Sequence, residues 1–156
     1  MDLNALHASE RLSDPGKLKY QDVRRFLEQL QWSLNHIAGA VRTYATLAKL
    51  APEGEAADEV ERMLRQEKKH FDLVHALYLE LKGTEPVVTP EAPWFETFRE
   101  GLQQAIRMER EAMHQYRDTY LLTPSPRVRD LFFLVMSDGV DQLAALFLMQ
   151  QSLLLS

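Results

Sequence analysis

Four proline-free stretches of helical length, each set off by proline, constrain this chain more than any other feature. Pro15-Gly16, Pro52-Glu53-Gly54, the run from Gly83 to Pro93 with Pro86 and Pro90, and Pro124-Ser125-Pro126 are the breaks. Between them lie residues 19–50, 55–82, 94–121 and 127–153. Each repeats apolar residues every three or four positions, the pattern of an amphipathic helix. None sustains the strict alternation of a strand, so the fold class is all-α.

Loop lengths suggest the topology. The first and third breaks are short, so segments one and two, and segments three and four, should pair antiparallel. The middle break is long enough to cross from one end of a bundle to the other. One long crossover, between helices 2 and 3, is the ferritin-like arrangement; simple up-and-down bundles have short loops only. A length of 156 residues suits one core, so residues 1–17 are read as an N-terminal arm and 18–156 as the bundle. The two halves also resemble a repeat. Ile37, Ala40, Tyr44 and Pro52 have the same spacing as Glu109, Ala112, Tyr116 and Pro124.

Charge and composition exclude several classes. A net charge of -5 without a basic cluster argues against nucleic-acid binding. The absence of cysteine excludes disulfides, thiolate metal sites and thiol nucleophiles. Met1-Asp2-Leu3-Asn4 does not read as a signal peptide. The most apolar run, Leu143 to Leu155 with Gln150 and Gln151 in it, falls short of the ~20 residues that span a bilayer. A cytoplasmic protein is the resulting expectation. Apolar residues cover more than one face of that last segment, which points to a homodimer through helix 4, with Leu3, Leu6 and Leu12 of the arm as the other cover for the patch.

Two ionisable groups interrupt an apolar face of the second segment. Glu67 and His70, as E-x-x-H, fall on the stripe of Val60, Met63, Leu64, Val74, Leu77 and Leu81. Glu109 likewise interrupts Phe98, Leu102, Ala105, Ala112, Met113 and Tyr116 in the third segment. Burying such groups unpaired costs several kcal/mol, so they need partners: each other, or a metal ion. In the first segment Ile37 continues an apolar stripe from Phe26 to Ala48, and His36 sits on its flank as a helix-edge residue. A second E-x-x-H, Glu111 to His114, points about 200° away from Glu109 and reads as a solvated face beside Arg107 and Arg110.

At these residues the sequence resembles the rubrerythrin and ferritin-like di-iron carboxylate family over about residues 19–150. The resemblance includes Tyr44 to Pro52, Phe71 after His70, Leu81-Lys82-Gly83 and Gly101-Leu102. The family's pattern is a glutamate on helix 1, E-x-x-H on helix 2, a glutamate on helix 3 and E-x-x-H on helix 4. The resemblance therefore implies metal ligands at Glu67, His70 and Glu109, with Tyr44 and Tyr116 as donors behind them. Helix 1 departs from the pattern at Ile37. Helix 4 departs in one of two registers, Val140 and Leu143 inward or Asp138 and Asp141 inward. The apolar series Phe132, Met136, Val140, Leu143 and Phe147 favours the first, although 30 residues separate Ile37 from Glu67 and the same step from Glu109 reaches 139, midway. The implied site is degenerate and takes at most one iron, zinc or manganese ion, or none. The alternative is a metal-free interaction or structural module descended from that family.

Overall fold

A computed structural model describes residues 20–123 and 125–156; the expected arm at 1–17 lies outside them. Four helices fill the described residues: α1 (Tyr20–Leu50), α2 (Glu55–Lys82), α3 (Phe98–Leu122) and α4 (Pro126–Leu155). No strand occurs among the described residues.

Local chemistry sets the helix ends. α1 stops two residues before Pro52, which cannot continue it. α2 opens with Glu55 and Asp58 in its first turn, favourable against the helix dipole. It closes on Gly83 at φ 77°, whose N–H donates to the Leu79 carbonyl at 2.8 Å; glycine reaches that left-handed conformation without strain. α3 begins at Phe98, four residues later than the expected start. Thr97 caps it by accepting from the Glu100 N–H, and the Glu100 carboxylate accepts in return from the Thr97 N–H. Pro126 occupies the first turn of α4, where its missing N–H costs nothing.

Contacts along the helices give their directions. Trp32 meets Tyr116 while Leu47 approaches Gly101, so α1 and α3 run antiparallel. Arg62 pairs with Asp141 and Glu80 with Arg127, so α2 and α4 do too. With short turns joining α1 to α2 and α3 to α4, the connection from α2 to α3 must run the length of the bundle, as expected from its length. It lies along α1. Gln31 donates to the Val87 carbonyl at 2.8 Å, and Asn35 accepts from the Thr89 N–H at 3.0 Å. Gly39 is the point of closest approach, where a Cβ would overlap the Glu91 carbonyl.

The core is two apolar clusters with a polar layer between them. One holds Leu30, Leu34, Ile37, Val74, Tyr116 and Phe132. The other holds Tyr44, Leu47, Val60, Met63, Leu102 and Leu146. Glu67, His70, Glu109 and Gln142 are buried between. Leu81, expected on the inner stripe of α2, is instead exposed, because a 3.6-residue repeat drifts off the core face over that length.

Helix 4 corrects both expected registers. Val140 is 61% exposed and Asp141 faces solvent, so neither proposed pair points inward. The buried face is Val128, Phe132, Val135, Gly139, Gln142 and Leu146. Gly139 and Gln142 thus take the two inner positions. α4 as a whole is also longer than the apolar run read from the sequence, and by length and composition it is able to cross a membrane. Here its inner face packs into the bundle.

Candidate metal centre

α2 supplies Glu67 and His70 one turn apart, α3 supplies Glu109, and α4 supplies Gln142 and, to one side, Asp138. The first three are the residues expected at the site, and the structure does place them in one layer. Tyr44 of α1 completes it by donating from its hydroxyl to Glu109 Oε1 at 2.6 Å. Tyr116, the other expected donor, packs edge-on to Trp32 and beside Phe132.

The Gln142 amide sits at the centre of the layer. One end lies 2.7 Å from Glu109 Oε1 and 2.9 Å from Glu67 Oε1, and the other 2.7 Å from Gln66 Oε1. Hydrogen bonding among protein groups is satisfied with the –NH2 end toward the two carboxyls, where it donates to both. Its oxygen then faces Gln66, whose own amide must turn its –NH2 group inward to match. With the opposite orientation three oxygens would meet at these distances, and that needs a proton or a cation among them.

His70 is held from one side. Its Nε2–H donates to Asp138 Oδ2 at 2.7 Å, while Nδ1 faces Glu67 Oε2 at 3.8 Å, too far for a hydrogen bond. A carboxylate on the outer nitrogen fixes the ring and the tautomer. Burial pushes the His70 pKa down, but Glu67 and Asp138 outweigh it and hold it above its usual 6.5. Burial, reinforced by the nearby Glu67 charge, pushes Glu109 well above the usual carboxyl value against the opposing Tyr44 hydrogen bond. Burial and the Glu109 charge likewise raise Tyr44 well above 10.0. In the protein alone, therefore, Glu109 keeps a proton where an exposed glutamate would not.

Two positions limit what else can bind. Ile37 is fully buried and apolar where a fourth helix's carboxylate would be needed. A Cβ on Gly139 would overlap Met113 Cε, so the Met113 side chain occupies the space a ligand at 139 would take. Among the described residues, no three His, Asp or Glu side chains converge as a ready-made metal cage.

His36 is outside the centre. It stacks on Trp32 with ring centroids 4.6 Å apart and donates from Nε2 to the Met108 carbonyl at 3.1 Å. Burial lowers its pKa, against the raising influence of Glu111 and Glu67. Glu111 and His114 are exposed, as expected. Sequence reasoning missed Gln142, and it offered Asp138 only as half of the Asp138/Asp141 pair, not as the partner of His70. The repeat offered the one signal for Gln142, since it marked 139 as an inner position, and on a helix 142 shares that face.

No family model matches the chain. It is 29% identical over 104 residues to the uncharacterized protein YhjR of Bacillus subtilis, covering 65% of this chain and 70% of that one. Two crystal structures share its fold at 15% identity. One is a conserved hypothetical protein of Mycobacterium tuberculosis, rv2844, with a TM-score of 0.72 over 85% of this chain and 99% of that one. The other is protein XCC3681 of Xanthomonas campestris, with a TM-score of 0.77 over 86% of this chain and 94% of that one.

Proposed function

We propose that this chain is a ferritin-like bundle with a degenerate di-iron site, which binds at most one transition-metal ion per chain through Glu67, His70 and Glu109. The observation that carries the reading is His70. Its outer nitrogen is committed to Asp138, which leaves Nδ1 aimed at Glu67 with no hydrogen bond between them. Metal-binding histidines are commonly oriented in this way. Cost argues in the same direction. Among the described residues no lysine or arginine is buried beside the two carboxyls; such groups are expensive in a bundle core, and an apolar layer would be more stable. Groups kept at such cost and with shifted pKa values are candidates for function.

The donor set fits one ion. Two carboxylates and a neutral imidazole carry about -2, enough for one divalent cation. Gln142 offers an amide oxygen at the same place when its amide is turned. Iron or manganese there would supply one-centre redox chemistry, and zinc a Lewis acid. Chelator titration tests the reading. The melting temperature of metal-loaded wild type should fall on chelation, and that of Glu67→Ala should not respond. Wild type indifferent to chelator after reconstitution with iron, zinc or manganese would refute it.

A second reading, a metal-free structural or interaction module, draws on the Gln142 amide. With its –NH2 group toward Glu67 and Glu109, each of Glu67, His70, Glu109 and Gln142 has a hydrogen-bond partner within the protein. Under that reading chelator changes nothing and Glu67→Ala still costs a few kcal/mol by breaking the network.

A further inference from the structure

α4 buries one face and leaves a second apolar face in water. Phe133, Val140, Phe147 and Leu154 recur at intervals of seven and are 62%, 61%, 47% and 70% exposed. Leu148 and Leu155 widen the stripe toward the C-terminal end. A seven-residue repeat keeps its side chains along one line of a helix that packs against another helix. These six residues leave roughly 600 Å² of apolar surface in water, at the upper limit for the largest patch on a monomer.

We infer that this stripe is a homodimer interface, α4 against α4 of a second copy. The stripe is complementary to itself. Its large residues at 133, 140, 147 and 154 alternate with the small, exposed Ser137 and Ala144, so each copy carries both the protrusions and the recesses an identical partner needs. Two copies together bury roughly 1,200 Å², the lower edge of the range for specific interfaces. Charge disfavours an anionic membrane as the occupant. The exposed Asp130 flanks the stripe, Asp141 beside it is neutralised by its pair with Arg62, and the chain carries -5 overall. The dimer brings no residue to the metal layer, because this face points away from Glu67, Glu109 and Gln142, so the inference is independent of the proposed function.

The test is the molar mass of the full chain in solution, by light scattering at tens of micromolar. The result expected is about 36 kDa, twice the 18.1 kDa of one chain. Val140→Glu should halve that mass and leave the helical circular dichroism unchanged. Ala144→Cys, in a chain that has no cysteine, should form an interchain disulfide on mild oxidation, while Glu61→Cys on α2 should not. Wild type that remains a monomer overturns the inference. If Val140→Glu then also lowers the melting temperature, the stripe is covered from within the chain. If the monomer instead co-sediments with phosphatidylglycerol vesicles, the stripe belongs to a membrane surface.

Discussion

Replacing Gln142 by leucine removes the central amide while nearly preserving volume. The structure assigns that amide two hydrogen bonds, at 2.7 Å to Glu109 and 2.9 Å to Glu67. A buried hydrogen bond to a charged group contributes about 1.5–3 kcal/mol and one to a neutral group about 1. Because Glu109 is pushed toward its neutral form, the pair is worth about 3 kcal/mol. Leucine leaves both carboxyls facing methyl groups with nothing in exchange. In a domain of this size that loss lowers the melting temperature by roughly 6–12 °C. Urea unfolding of metal-free protein at pH 7 measures it directly, as a lower midpoint at unchanged slope. A loss below about 1 kcal/mol for Gln142→Leu would refute the bridging role.

Further consequences follow from the same layer. Gly139→Ala should cost about 1–2 kcal/mol by displacing Met113 and be largely rescued by Met113→Ala, as read by thermal unfolding of the single and double variants. The pKa values of Glu109 and His70 are raised on folding, above 4.5 and 6.5, so the folded state holds their protons more tightly. Stability of metal-free protein should accordingly fall as pH rises above 6.5. His36, lowered on folding, opposes this only below 6.5. Urea midpoints from pH 6 to 9 measure the slope, which Glu109→Gln should flatten. Asp138→Asn weakens the carboxylate hold on His70 Nε2, so metal affinity should drop by about 10- to 100-fold in a competition titration.

Much of the fold was legible because proline marks where helices cannot continue and apolar spacing marks where they must. The ends of α1 and α2 fall within a residue of where those signals put them. The late start of α3 escaped because its signal is a pair of reciprocal hydrogen bonds between Thr97 and Glu100, not a change in hydropathy. Glu67, His70 and Glu109 were visible because each interrupts an apolar stripe. The register of α4 was misread for a physical reason. Its outward face is as apolar as its inward one, with Phe133, Val140 and Phe147 in water. Hydropathy then favours the wrong face, and Gly139 adds nothing to either. The half-to-half repeat held the information, since position 139 is inner. That Asp138 reaches sideways to His70 was not readable, because hydropathy does not report a contact between helix flanks.

The central claim is that the layer of Glu67, His70 and Glu109 binds one metal ion and no second. An anomalous-difference map from crystals of the full chain grown with iron, zinc or manganese tests it most directly. One peak per chain is expected, beside His70 Nδ1 and between the Glu67 and Glu109 carboxylates. Two peaks about 3.5–4 Å apart would contradict it by restoring a two-metal centre. No peak, in crystals where the ion is bound elsewhere or not at all, would contradict it in favour of the metal-free network closed by Gln142.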